Sequence, residues 1–201
     1  MLVWLRESLE EIPVYYNPKY DFDDKDLETF WNRKFAEKRG LGQYADKSDK
    51  ELLGIVKNKY YAEYAFNLMR VDDGFELHDR RSIQIADGGP IEICDLRKQK
   101  TVFAVKIGAS SSDLCYVVTQ SETVVDLYAT GTLPRDEKPN AMALWIVFEK
   151  RRKLDVVNNR LRWDDLAMLY LKVRIDNWRK KVQLAGMRPE IYINYRGVSG
   201  K

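Results

Sequence analysis

Histidine and cysteine are scarce in this chain of 201 residues, which contains one histidine, His78, and two cysteines, Cys94 and Cys115. A single histidine excludes zinc sites built from several imidazoles and disfavours a histidine general base. Both cysteines lie in apolar segments. Such segments favour buried, reduced thiols over a disulfide or a metal knuckle.

Long apolar runs are also lacking. No stretch approaches the roughly 20 apolar residues that a helix needs to cross a bilayer. The N-terminal residues MLVWLRESLEEIP become acidic too early for a secretory signal. Hydrophobic and charged contents of 45% and 32% are typical of globular proteins. We therefore expect a cytoplasmic protein that does not interact with membranes.

Charge is unevenly distributed along the chain. Residues 1–30 contain three Lys or Arg against eight Asp or Glu, whereas residues 151–201 contain thirteen against five. A basic C-terminal quarter suits a phosphate backbone, because each neutralised phosphate releases counterions. A solvated charged face explains the same pattern equally well.

The N-terminal part of the chain combines prolines with acidic residues. Residues 1–26 contain Pro13, Pro18 and four aspartates, so we expect an extended or loosely packed acidic lead-in before a single α/β domain over residues 27–201. Helical spacing predicts one helix over residues 26–38, ended by Gly40, and a second over residues 48–69. Glu63 of the second helix is either a surface residue or one that points toward a site on the following strands.

Three successive segments predict strands: FELHDRRSI, PIEICDL and TVFAVKI. Alternation in the third segment puts Val102, Ala104 and Lys106 on one face and its other side chains on the opposite face. A helix from about Ser110 to Tyr128, a strand AMALWIVFE, a helix over residues 173–185 and a final strand EIYINY follow. This order predicts an α/β fold with a mixed central sheet flanked by helices.

Acidic residues and a lysine on the three predicted strands suggest phosphodiester chemistry. Magnesium prefers carboxylate oxygens, and a nearby cation offsets charge at the attacked phosphate. We predict Asp79, Glu92 and Asp95 as magnesium ligands and Lys106 as the catalytic cation. The alternative is structural: Glu92 and Lys106 form a cross-strand ion pair, and Asp79 caps a turn.

Two further groups could contact phosphate. Ser110, Ser111 and Ser112 precede a predicted helix, where they cap its N-terminus or hold a phosphate there. The predicted final helix carries a basic face that could contact nucleic acid, formed by Arg174, Arg179, Lys180 and Lys181.

The order of elements resembles that of restriction-endonuclease-like nucleases. That family places a PD sequence and a (D/E)xK sequence on two neighbouring strands, after one helix and before a helix and a strand. In this chain Asp79 matches the first acid, Glu92 the second, and Cys94 occupies the lysine position. Lys106, one strand later, would be a lysine that has migrated.

A more specific resemblance covers about residues 60–195. The sequences LHDRR, IEICDL, VFAVK and GASSSDLCYVVTQS resemble the signature of a family of sporadically distributed bacterial proteins, and ALWIVFEK and VQLAGMRPEIYINY resemble its closing segments. Members are typically longer, so this chain looks like their C-terminal half. The matching positions are Asp79, Glu92, Cys94, Asp95, Lys106, Ser110, Ser111 and Gln120.

The chain departs from that family at two places. Ala104 replaces the histidine that precedes the VK pair, and Cys115 with Tyr116 occupies a region where serine and histidine are expected. Both departures favour a degenerate site over an active one. The sporadic distribution of the family implies antiviral defence or mobile-element biology.

Three functions follow from these observations. The leading hypothesis is a metal-dependent nuclease-like domain acting on DNA or RNA, either active or degenerate. The second is a non-catalytic nucleic-acid-binding subunit that uses the basic C-terminal quarter. The third is an assembly domain whose acidic and basic ends are complementary, in a homo-oligomer or larger complex.

Overall fold

The computed structural model describes residues 3–78, 82–84, 90–134, 138–149 and 154–197. Its helices are α1 Val3–Glu10, α2 Asp24–Arg39, α3 Asp49–Lys59, α4 Ala62–Val71, α5 Ser111–Ala129 and α6 Leu169–Leu184. Its strands are β1 Val14–Tyr16, β2 Phe22–Asp23, β3 Glu76–Leu77, β4 Ser82–Gln84, β5 Pro90–Glu92, β6 Leu96–Lys98, β7 Thr101–Gly108, β8 Ala141–Phe148, β9 Val156–Val157, β10 Arg160–Leu161 and β11 Arg188–Gly197.

The central sheet is mixed and has the order β1-β11-β8-β7-β6-β3, with β2 also paired to β11. Strands β1, β11, β8 and β7 run parallel, while β3, β6 and β7 form an antiparallel meander. Helices pack against the sheet, so the predicted α/β class is confirmed. Within the described residues, no helix is long and apolar enough to cross a membrane.

Strand β7 divides its side chains between two cores, as its alternation predicts. Val102 and Ala104 pack with buried residues of α1, α5 and α6. Phe103 and Val105 pack on the other face with Phe66 of α4 and with Trp145. The sheet therefore separates two apolar layers, and its central strands are buried on both faces.

The N-terminal segment is not loosely packed. Leu5, Leu9, Ile12 and Val14 are fully buried in the core on the α5 and α6 face, and β1 extends the sheet in parallel with β11. The expectation of an extended lead-in was therefore wrong for residues 3–16. Burial of an apolar helix face and a strand outweighs the local effect of Pro13 and Pro18.

The predicted long helix over residues 48–69 is two helices. Ser48 and Glu51 form the expected capping box at the start of α3, but the chain breaks at Tyr60, whose φ and ψ are −111° and 59°. The break lets α3 contact α2 while α4 turns toward β7. Packing on two different partners therefore overrides the continuous helical pattern.

The middle predicted strand, PIEICDL, is also divided. Its first half forms β5, which pairs with β4 in a separate two-stranded sheet, and only Leu96 belongs to β6. Cys94 and Asp95 lie between the two strands, with Cys94 buried against the α5 and α6 side. The chain therefore leaves the central sheet before Glu92.

Candidate active site at the edge of β7

The candidate site begins with a gap in the central sheet. Within β7, only residues 101–103 pair with β6. The backbone amides of Val105 and Ile107 point to the same side of β7 as that of Phe103, but they lie beyond the first residue of β6. Buried backbone amides need acceptors. Two carboxylates provide them: Asp95 Oδ2 accepts from Val105 N at 2.7 Å, and Glu63 Oε2 accepts from Ile107 N at 3.1 Å.

Lys106 lies beside one of these carboxylates, that of Glu63, near the carboxyl end of β7. Its Nζ lies 3.1 Å from Glu63 Oε2 and 3.3 Å from Glu63 Oε1. The Lys106 side chain is 27% exposed and that of Glu63 is 17% exposed, and the Tyr116 ring centroid lies 5.5 Å from the amine. The pair is thus half-buried, with an aromatic ring beside it.

Asp95 and Glu63 lie along the same edge of β7 because they accept from alternate amides of that strand, those of Val105 and Ile107. Residues two apart on a strand are separated by about 6.6 Å, which sets the spacing of the two carboxylates along β7. Two acidic groups and one amine, from α4, the segment before β6 and β7, thus lie along the part of β7 where the sheet is incomplete, and the amine contacts Glu63. Glu63 points toward the strands, which resolves the alternative that the sequence left open.

The other predicted acids lie elsewhere or outside the described residues. Asp79 is outside them. Glu92 ends β5, opposite Ser82 in the separate sheet, and the carboxylate in contact with Lys106 is that of Glu63. In the described part of the chain, no group of three or more His, Cys, Asp or Glu residues could hold a metal ion. Because Asp79 lies outside the described residues, the magnesium site formed by Asp79, Glu92 and Asp95 stays a prediction.

Cys94, which matches the lysine position of the nuclease motif, is a buried neutral group. It is 3% exposed. Burial, followed by the negative charge of Asp95, raises the pKa of its thiol to about 12. The thiol is therefore protonated at neutral pH and packs as a small apolar side chain.

Ser110 is the N-cap of α5, and Ser111 and Ser112 are the first two residues of that helix. Ser110 Oγ accepts from Asp113 N at 3.2 Å and donates to Asp113 Oδ2 at 2.5 Å, and it lies 2.8 Å from Ser112 Oγ. The Asp113 carboxylate already provides the negative charge that this helix N-terminus favours. A phosphate held by Ser110, Ser111 and Ser112 would approach that carboxylate directly.

The basic face predicted on α6 is engaged with acidic side chains. Each of its four cations pairs with a carboxylate: Arg174 with Glu122, Arg179 with Glu11 and Asp176, Lys180 with Asp176, and Lys181 with Asp126. These pairs connect α6 to α5 and α1. The basic residues of this helix thus have a structural role that the charge count could not reveal.

Asp176 is the centre of that network and is 1% exposed. Burial acts to raise the pKa of its carboxyl group, but hydrogen bonds from Lys180 and Ser8 and the charges of Lys180 and Arg179 outweigh it, so the pKa lies below its usual range. Arg179 also hydrogen-bonds Ser8 and Glu11. A buried, ionised aspartate thus links α6 to Ser8 of α1, whereas Arg174 and Lys181 make the ion pairs with α5.

The sequence analysis does not predict Tyr116 or Glu63 as a site residue. Tyr116 is 63% exposed although it lies on a helix with a long apolar face, and an exposed aromatic residue beside a lysine is a signal that only the structure supplies. Glu63 stands in the first turn of α4. The helix dipole favours a carboxylate at this position whether or not it has a partner. The sequence pattern therefore does not indicate the contact between Glu63 and Lys106.

The chain was compared with protein-family models, with curated proteins and with solved structures, and no match was found in any of the three comparisons.

Proposed function

We propose that this chain is a nuclease-like domain of restriction-endonuclease type that acts on phosphodiester bonds in DNA or RNA. The observation that carries the proposal is the Lys106–Glu63 pair at the incomplete edge of β7, where Asp95 binds the neighbouring Val105 amide. The resemblance to sporadically distributed bacterial proteins suggests antiviral defence or mobile-element biology as the setting.

The order of elements around this site supports the proposal. Helix α4 is followed by the meander β3, β6 and β7, then by α5 and by β8, which is parallel to β7. This is the helix, strands, helix and strand order described above for restriction-endonuclease-like nucleases. The site also lies at the carboxyl ends of the parallel strands, where open α/β sheets bind ligands.

The residues have separable roles in this proposal. Lys106 would leave Glu63 and neutralise charge on the attacked phosphate, which is the task of a positioned cation. Glu63 and Asp95 would orient the lysine and an attacking water. Magnesium is usually held by one or two carboxylates together with substrate phosphates. Glu63 and Asp95 could meet that need, with Asp79 and Glu92 as further predicted ligands, and the metal would supply charge neutralisation when bound.

A cleavage assay tests this proposal. Single- and double-stranded DNA and RNA are incubated with the protein and Mg²⁺, and Lys106→Ala and Glu63→Gln are compared with the wild type. We expect Lys106→Ala to lower the cleavage rate about 100-fold or more, which is the usual contribution of a group that stabilises developing charge. Glu63→Gln keeps an acceptor for the Ile107 amide but loses the charge that positions Lys106, so it should lower the rate as well.

The matched control is Lys100→Ala, which removes an exposed lysine from the turn before β7. It should leave cleavage unchanged. Equal activity in the wild type, Lys106→Ala and Glu63→Gln would refute the proposed site. Glu92→Ala tests the sequence-based ligand separately, because loss of activity in that variant alone would move the site to the β4 and β5 hairpin.

A second candidate function is a nucleic-acid-binding or assembly subunit without catalysis. Ala104 favours it: this residue lies two positions before Lys106, where the nuclease motif has an acid, and it is buried in the core instead. Such a subunit would bind nucleic acid with an affinity that falls steeply with salt, does not depend on metal and survives Lys106→Ala. Assembly alone predicts oligomers and no nucleic-acid affinity at moderate salt.

A further inference from the structure

A cavity of about 400 Å³ lies over the sheet face opposite α5 and α6. Its walls come from β1, the segment after β1, the turn between β6 and β7, and β11. Helix α4 covers this face near Trp145 through Phe66 but is not part of the cavity lining. The volume is in the range of small-molecule sites, which are ~300–1,000 Å³.

Six of the twelve described lining residues are aromatic: Tyr15, Tyr16, Tyr20, Phe75, Phe103 and Tyr192. They also contact one another, with ring centroids 4.8 Å apart for Tyr15 and Tyr192 and 5.0 Å apart for Phe103 and Tyr192. These contacts join rings on β1, β11 and β7 and restrict the motion of each ring. The cavity therefore offers a rigid aromatic wall at little entropic cost.

A hydrogen bond to Glu190 on the same strand fixes the position of the Tyr192 ring. Its hydroxyl group hydrogen-bonds Oε2 of Glu190 at 3.3 Å, and Glu190 is 5% exposed. Burial, followed by the charge of Glu190, raises the pKa of Tyr192 above its usual value. The phenol is thus uncharged and its hydroxyl is occupied, so Tyr192 presents an apolar ring.

The polar part of the lining consists of three exposed amides, the buried amide of Asn194, the Thr101 hydroxyl and one cation. Asn17, Gln99 and Asn159 are exposed residues that line the cavity. Lys98 Nζ lies 4.4 Å from the Phe75 ring centroid and donates to the Asp73 carbonyl at 2.9 Å. No aspartate or glutamate is among the described lining residues. The cavity therefore suits a ligand with an uncharged planar ring and a negative group.

We propose that this cavity binds a nucleobase, with its phosphate directed to Lys98. Tyrosine and phenylalanine rings stack on any base, and asparagine and glutamine side chains provide both donors and acceptors for base edges. The ligand is a free nucleotide or an unpaired nucleotide of a nucleic acid, which share this chemistry. The proposal does not depend on cleavage, because the cavity lies on strand residues away from Lys106.

Titration calorimetry with the four ribonucleoside monophosphates, adenosine and ribose 5-phosphate tests the proposal. We expect the wild type to bind the mononucleotides and adenosine but not ribose 5-phosphate. Tyr15→Ala should weaken binding by about 5-fold to 150-fold, the range that loss of one stacking ring produces. Tyr15→Phe should bind like the wild type because it keeps the ring.

Two further variants make the result decisive. Tyr64→Ala, which removes a comparably half-buried tyrosine on α4 outside the cavity, should bind normally. Lys98→Met should weaken the binding of AMP but not of adenosine, and it provides an independent test if Tyr15→Ala does not fold. A short single-stranded oligonucleotide that binds while the mononucleotides do not would assign the site to nucleic acid.

Three results would overturn the proposal. They are absence of both mononucleotide and oligonucleotide binding at millimolar concentration, equal binding of ribose 5-phosphate and AMP, and unchanged affinity in folded Tyr15→Ala together with Lys98→Met. Loss of mononucleotide binding in Tyr15→Ala with normal cleavage would separate this site from the proposed active site.

Discussion

Replacing Asp95 tests whether the incomplete edge of β7 depends on a side-chain acceptor. Asp95 is 7% exposed and Val105, whose amide it binds at 2.7 Å, is 2% exposed. In Asp95→Ala this amide loses its acceptor in a place that water does not reach. A buried donor left without a partner costs about 1–3 kcal/mol, and hydrogen bonds to charged groups lie in the upper part of that range.

That cost translates into a measurable shift. A chain of this size loses about 2–4 °C in Tm per kcal/mol, so a cost of about 2 kcal/mol corresponds to about 4–8 °C. Asp95→Asn keeps a carbonyl oxygen that can accept from Val105 N, and we expect it to cost less than half as much. Thermal unfolding measures the Tm of each variant, and urea unfolding measures its free energy of unfolding. An unchanged m value would show that the native and unfolded states have not changed in compactness.

The control is Asp126→Ala, which removes an aspartate that is 55% exposed and pairs with Lys181. Exposed pairs contribute at most about 1 kcal/mol, so this variant should unfold close to the wild type. The reasoning is refuted if Asp95→Ala is as stable as the wild type, or if Asn costs as much as Ala. Asp95→Asn also serves in the cleavage assay, because it removes the carboxylate charge but keeps an acceptor for the Val105 amide.

Two further predictions concern buried charge. The pKa of Cys94 is about 12 in the folded state and about 9 in an exposed thiol, so the folded state retains the proton. The stability that this difference provides is complete below pH 9 and falls as pH rises from about 9 to 12, by up to about 1.4 kcal/mol per pH unit. We therefore expect the urea midpoint of Cys94→Ala to fall less steeply over this pH range than that of the wild type. Parallel plots of urea midpoint against pH for the two proteins would contradict this prediction. Asp176→Ala should cost about 1–3 kcal/mol because Arg179, which is 8% exposed, loses one of its two carboxylate partners and the Ser8 hydroxyl loses its acceptor. Lys181→Ala should cost less than about 1 kcal/mol, and similar denaturation midpoints for the two variants would show that the network is not central.

Several local features were predictable because neighbouring residues encode them. The two faces of β7 follow from strict alternation, and the capping box of Ser48 and Glu51 follows from spacing along one helix. The cap at Ser110 was equally readable, although the same serines also suggested a phosphate site. The α/β class followed from the order of such elements.

The site itself depended on contacts between distant parts of the chain. Glu63 and Lys106 are 43 residues apart, and the position of their pair is set by where β6 stops and how α4 packs. Glu92 pairs in a separate hairpin and not in the central sheet, and no local sequence pattern predicts this choice of strand partner.

What the sequence determined by itself is therefore the periodic part of the protein: its main helices, its long strands and its fold class. The tertiary structure decided which charges meet. It paired the basic residues of α6 with carboxylates, buried Leu5 and Leu9 of the acidic N-terminal segment in the core, and placed Glu63 rather than Glu92 at Lys106. Periodicity is a local property of the chain, whereas ion pairing and strand register are chosen by the burial of apolar surface over the whole fold.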